Sequence, residues 1–524
     1  MQVQWAVVIH VLVMFRQRFL VHRPRYHLFT KKYSLRPHTP EQPSVIQEHF
    51  ISHTLYAINA GNRFLKFSFF GLIALGTTIA AAFEGAHLYV EHVGMAPESD
   101  PEVKKWEWDE SWSGDSAVGG TDPALGIRAR HTVRAAWMAY NWGVGYSAAA
   151  TGTDGPFVSS AEGLTGPAGI HVIDAQMQRT EDFLRSAIHV AETTSSPPLH
   201  PLTFTTLLAR HAAVLEKLGS GHLEQSKLQY ERAWQSLPMQ QPTAARIAMK
   251  LGNLNARLGQ DTSAVDWWAK AIKLTQGESS EVGVGSLKVP SKSPASPLSQ
   301  RILFSTLVSL SAHYAQRGKL KEAEALEESA LALLRSIIPP ESFASASPPQ
   351  SLHALYLLQQ SSTLSIHLAE VLHARRYPVR SSVQWLMSAA ESSERVARAL
   401  SGLPLSPPPG PVSEIPVPNP QKDLLLACYN TSRSLNKAAD ALLKDARRTA
   451  AESWNLLGVL YEMQEGSQSK AAFECFNRAV NWAGAPIDDN GSSREAADGI
   501  LQSDWHIFVS NLERIKTARD QRAK

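Results

Sequence analysis

Residues 454–479 read WNLLGVLYEMQEGSQSKAAFECFNRA. Trp454, Leu457, Gly458 and Tyr461 recur at helical spacing, so they share one face of a first helix. Ala472, Phe476 and Ala479 repeat that spacing on a second helix. Gly466 and the polar residues after it mark the turn between them. Large side chains on the first helix, with Phe476 on the second, fill the groove of a helical hairpin. Gly458 and the alanines let the two backbones approach.

Weaker copies lie upstream. Leu251-Gly252 and Gly259 precede Ala264, Trp268 and Ala271. Leu208, Ala212, Leu215 and Gly219 lead to Ser226, Tyr230, Ala233 and Pro238. Leu307, Leu310, Tyr314 and Gly318 lead to Ala323 and Ala330, with Glu327 where an aromatic is expected. Leu368-Ala369 and Leu372 are followed by Ser381, Trp385 and Ser388. The spacing is close to the tetratricopeptide pattern, with two extra residues in the turn around Gly466. Any amphipathic helix pair approximates one copy, whereas five copies predict an array. The expected fold is all-α, a tetratricopeptide-type helical-repeat solenoid over 171–524; an unrelated helical bundle is the competing fold. Ser/Pro-rich insertions at 276–300, 338–350 and 402–421 interrupt it. Gln421–Thr449 reads as a long amphipathic helix between repeats, and Trp505–Lys524 as a terminal cap.

Ahead of the array, Phe67 to Phe83 reads FSFFGLIALGTTIAAAF, uncharged between Lys66 and Glu84. Seventeen helical residues reach about 25 Å, close to the hydrocarbon thickness of a bilayer. A transmembrane helix over 63–92 is expected, with a buried core helix as the alternative. Residues 1–66 carry nine Lys or Arg against two acids, whereas the other 458 carry 42 basic and 46 acidic residues. Residues 1–62 therefore read as a disordered, Arg-rich mitochondrial targeting leader. The charge asymmetry expects that flank to stay on the side of insertion and the body to lie across the membrane. Residues 93–170 form an acidic, Trp-rich juxtamembrane segment and a connecting helix. Trp106, Trp108 and Trp112 dock a partner, anchor at the bilayer interface or pack back onto the body.

Enzyme motifs are missing: no nucleophile elbow, Walker loop, G-x-G-x-x-G or H-E-x-x-H occurs. Two cysteines, Cys428 and Cys475, are too few for a zinc site or a disulfide framework and are expected as buried thiols. The expectation is therefore a non-enzyme with no catalytic residue, metal or cofactor, and with no small-molecule substrate. The pI of about 8.7 traces to the leader, so nucleic acid is not an expected partner. A peptide would lie along the concave surface of first helices. Repeat geometry places Arg246, Met249, Asn253, Asn455, Val459 and Glu462 there.

A basic leader, one span and a tetratricopeptide body together resemble a fungal mitochondrial family, the inner-membrane substrate adaptor of the i-AAA protease. The resemblance implies a body in the intermembrane space and an N-terminus in the matrix. It implies as partners an AAA-type protease complex and its unfolded substrates, besides lipid along residues 67–83. The layout is also similar to tetratricopeptide import receptors of the outer membrane, whose repeats carry a Lys and Asn clamp. Here Asn253 has Met249 four residues before it, not Lys. An assembly factor for a respiratory complex is a third reading of the same layout.

Overall fold

The computed structural model describes residues 45–98, 100–106, 112–113, 119–143, 175–193, 198–237, 241–277, 289–343, 345–405, 425–466, 469–484 and 505–523. The chain forms two compact units, Met1–Ala80 and Ala81–Lys524. Among the described residues every regular element is helical.

Helix α1, Val45–Tyr89, holds the uncharged stretch. It begins well before the expected boundary at 63, so 45–62 is helix rather than disordered leader; residues 1–44 of the expected leader lie outside the described residues. From Leu55 to Gly85 its side chains are exposed, apart from half-buried Ser68. Leu55–Gly94 is long and apolar enough to cross a membrane, by length and composition. The two threonines fit an apolar setting. Thr77 Oγ1 donates to the Ile73 carbonyl at 2.9 Å and Thr78 Oγ1 to that of Ala74 at 2.8 Å, so neither hydroxyl lacks a partner.

In the second unit the last turns of α1 pack on protein. His87, Val90 and Glu91 are buried. The expected span over 63–92 lies within Leu55–Gly94, and its exposed run ends at Gly85, with Ala86 half-buried and His87 and Val90 buried beyond it. A short π-turn, Val90–Gly94, follows. The helices after it are α2 (Pro101–Lys104), α3 (Gly126–Trp142), α4 (Ala175–Thr193), α5 (Thr203–Lys217), α6 (Leu223–Gln235), α7 (Gln241–Arg257), α8 (Asp261–Thr275), α9 (Pro297–Gln316), α10 (Leu320–Arg335), α11 (Pro348–Ala374), α12 (Val379–Ser401), α13 (Arg433–Glu465), α14 (Lys470–Ala483) and α15 (Trp505–Ala523).

Each helix from α3 onward packs on the next, and α7, α9, α11 and α13 also touch in succession. These first helices form one layer and their partners α8, α10, α12 and α14 a second, an arrangement consistent with a helical solenoid. The five hairpins read from sequence are α5/α6 through α13/α14. The pairing begins earlier than residue 171, because α3 packs on α4 and shares its apolar cluster with Leu184, Leu207 and Leu208.

Glycine sets the spacing in two hairpins. A Cβ on Gly458 would stand 2.6 Å from the Phe476 ring, and one on Gly252 2.5 Å from the Trp268 indole. Both distances are far inside van der Waals contact, so any larger residue would push the helices apart. Elsewhere a serine of the second helix ties to a first-helix carbonyl beside an alanine. Ser226 Oγ donates to Ala212 O at 2.9 Å, and Ser382 Oγ to Ala369 O at 3.0 Å.

That second bond corrects a register. The inward positions of α12 are Ser382, Leu386 and Ala389, all buried, one residue on from the expected Ser381, Trp385 and Ser388. Ser388 is exposed, and Trp385 is half-buried at the edge of the cluster with the Arg335 guanidinium 5.5 Å from its ring. The helix between repeats is also not separate. Residues 450–453, Ala-Ala-Glu-Ser, hold nothing to stop a helix, so α13 runs unbroken for 33 residues into Trp454. Of the insertions, 278–288 and 406–424 lie outside the described residues.

Candidate polypeptide-binding face

The face begins where α1 meets the body. Glu91 accepts from Arg134 Nε at 2.6 Å, Arg130 Nη2 at 2.8 Å and the Thr121 amide at 3.0 Å. With the carboxylate buried and fully bonded, this knot fixes the point from which the chain departs. The Gly94 carbonyl then accepts from Arg433, whose guanidinium also stacks 4.7 Å over Trp137.

From here the chain runs along the first-helix layer. Glu98 Oε1 accepts from Ser432 Oγ at 2.6 Å. Ser432 is itself the N-cap of α13, receiving the Leu435 amide at 3.3 Å, so an acid sits at the positive end of that helix. Asp100 caps the single turn α2 by accepting the Glu102 amide at 2.8 Å, with Pro101 next. The turn packs on α11 and α13. Val103 is 5% exposed and belongs to the same cluster as Leu352 and Leu355 of α11 and Leu435 and Leu442 of α13.

Two residues later the contacts pass to α9. Arg301 donates to the Lys105 carbonyl at 2.7 Å, and its guanidinium lies 3.7 Å from the centre of the Trp106 ring. The same indole meets Tyr356 of α11 edge-on, centroids 6.3 Å apart, and the Tyr356 hydroxyl bonds Ser305 Oγ at 2.6 Å. Arg246 of α7 and Asp445 of α13 also act on that phenol, whose pKa is raised, chiefly by burial. Glu98 and residues 100–106, the strap, thus touch three successive first helices.

The sequence-expected residues divide between two ends of the layer. Arg246 is half-buried and acts electrostatically on the Tyr356 phenol. Met249 packs against Ala244, Ala245, Leu274 and Ile302. Asn253 accepts from Trp268 Nε1 at 2.9 Å, so it serves its own hairpin. Asn455 accepts from Asn511 at 2.9 Å, and Glu462 takes Arg514 in two bonds, both from α15. Val459 packs on the cluster that includes Phe508, Leu512 and Ile515 of the same helix. The terminal helix covers the last first-helix face. Sequence reasoning missed Arg301, Ser305 and Tyr356, which lie outside the repeat motif. The signal that pointed there was the acidic Trp-rich run: Trp106 and Trp112 both pack back onto the body, Trp112 at 3% exposure against Tyr140, while Trp108 lies outside the described residues.

Two buried carboxylates shape the body behind this face. Glu394 accepts from the indoles of Trp454 and Trp482, each at 2.7 Å, and from both ends of the Arg478 fork at 2.5 Å. Glu327 occupies the aromatic position of α10 and is fully buried. No hydrogen bond reaches its oxygens. Ser311 is near enough to work against burial and lower its pKa, but that hydroxyl also bonds His367 Nδ1 at 3.2 Å. Burial therefore dominates and pushes the Glu327 carboxyl up to about 8, and burial likewise pulls His367 down to about 4. Burial raises the Cys475 thiol to about 12, whereas Cys428 is exposed rather than buried as expected. Among the described residues no group of three His, Cys, Asp or Glu is placed to hold a metal.

No protein-family model matches the chain, and no curated protein matches it. Among solved structures, BtubC (BKLC) from P. vanneervenii is similar at 16% identity, over 45% of this chain and 80% of that chain, with a TM-score of 0.32. A likeness that distant carries no argument about what this chain does.

Proposed function

We propose that this protein is a membrane-tethered, non-catalytic adaptor whose first-helix layer holds polypeptide segments of other proteins. One observation carries the reading: a stretch of polypeptide, Glu98 with residues 100–106, already lies on that layer against α9, α11 and α13. Its backbone carbonyl, an aliphatic side chain and an indole are each recognised, the way a helical array takes a peptide. The Gly458–Phe476 and Gly252–Trp268 approaches support a tetratricopeptide type of repeat. The exposed apolar length of α1 supports a bilayer tether, which raises the body's effective concentration beside membrane-bound partners.

The finer reading rests on the leader's charge and on the family resemblance. It places the span in the mitochondrial inner membrane, with the N-terminus in the matrix and the body in the intermembrane space. There the body presents unfolded substrates to an AAA-type protease.

A photo-crosslinking residue in place of Arg246, in full-length chain within mitochondria, tests the binding role. Adducts to other polypeptides are expected from this position. Adducts confined to the chain itself would overturn the adaptor reading.

A further inference from the structure

We infer that residues 98–106 are a resident ligand, and that partners reach the same site with the same chemistry: an acid, an aliphatic residue five positions on and an aromatic three beyond that. This rests on the polypeptide-binding reading and specifies its partner class. Each element of the strap meets a distinct feature of the face. The acid of Glu98 sits on the N-cap serine of a 33-residue helix, where any carboxylate gains from the helix dipole. Val103 fills an apolar position between α11 and α13. Trp106 occupies a slot built from Arg301 and Tyr356.

The slot is prepared for an occupant. Ser305 holds the Tyr356 hydroxyl, and Arg301 is 8% exposed, stacked on the indole and bonded to the strap's carbonyl. The strap is short and partly exposed. It offers one helical turn of four residues, Pro101 is exposed, and Glu102, Lys104 and Lys105 are only half-buried. It wins by being attached, since the Glu91 knot keeps its local concentration high. A partner segment that is itself concentrated at the membrane competes on equal terms.

The test uses full-length chain in nanodiscs and a fluorescent synthetic peptide, ESDPEVKKW, the sequence of residues 98–106. The peptide is expected to bind the double variant Val103→Asp/Trp106→Ala at least tenfold more tightly than the unaltered chain, whose own strap competes. Adding Arg301→Ala to that variant is expected to return binding to background. Trp106→Ala alone, with helicity followed by circular dichroism, is the second variant should the double one unfold. Equal binding to strap-intact and strap-weakened chains, or no binding to a folded strap-weakened chain, would overturn the inference. Failure of both variants to fold would also overturn it, because the strap would then be core. The two readings fail separately: adducts from position 246 to other polypeptides, without peptide binding here, would keep the adaptor and discard the resident ligand.

Discussion

Glu327→Gln is expected to stabilise the chain by several kcal/mol at pH 8 and to remove most of the stability lost between pH 5 and pH 8. The folded carboxyl keeps its proton up to about pH 8, whereas the unfolded one releases it near its ordinary 4.5. A raised acid pKa means that stability is greatest below the unfolded value and falls as pH rises toward the folded one. Each pH unit across that interval costs about 1.4 kcal/mol, so the loss approaches about 5 kcal/mol at pH 8. The amide cannot ionise, so the variant lacks that slope. The groups facing the site are accounted for. His367 titrates near 4 and is neutral across the window, while Glu370 and Glu328 act on Glu327 in the same upward direction. Glu370 is itself raised by burial and leaves a shallower residual slope. Denaturant midpoints of full-length chain in detergent, measured from pH 5 to pH 9, check this. Parallel curves for the two proteins would contradict it.

Glu394→Ala is expected to lower stability by about 3–5 kcal/mol. The carboxylate is 4% exposed and satisfies two indoles and a guanidinium at once. Its removal leaves the Arg478 charge, only 13% exposed, without its partner and stacked on Trp454 at 4.2 Å. Two buried indole N–H groups lose their acceptor as well. Glu394→Gln keeps an acceptor but not the charge, so it should lose roughly half as much. Because Trp454 and Trp482 join α12 to α13 and α14, hydrogen exchange should quicken first in these three helices. A loss under about 1 kcal/mol for the alanine variant would show that the cluster is not what holds this end of the body.

The hairpins were legible in the sequence because small residues mark close approaches. Gly458, Gly252 and the alanines near them recur at a spacing that helix packing demands. The register of α12 was not legible, because its inward position holds Leu386 while the neighbouring Trp385 offers the more conspicuous aromatic. The continuity of α13 is not legible in the repeat motif, which begins at Trp454, although no helix-breaking residue precedes it. Repeat geometry put Arg246, Met249, Asn253, Asn455, Val459 and Glu462 on first helices, but Asn253 bonds within its own hairpin and Asn455, Val459 and Glu462 face α15. Repeats identify which side of a helix looks inward, and say nothing of a distant segment that comes to lie on it. The strap follows from chain path: the Glu91 knot and the Gly94–Arg433 bond direct the residues after α1 onto the layer.

The proposed adaptor role needs α1 to anchor the chain in a bilayer. Alkaline carbonate extraction of isolated mitochondria tests it most directly, followed by protease treatment of mitoplasts. The full chain is expected to stay in the membrane pellet, and its body to be cut once the outer membrane is opened. Release of intact chain into the carbonate supernatant would contradict the tether.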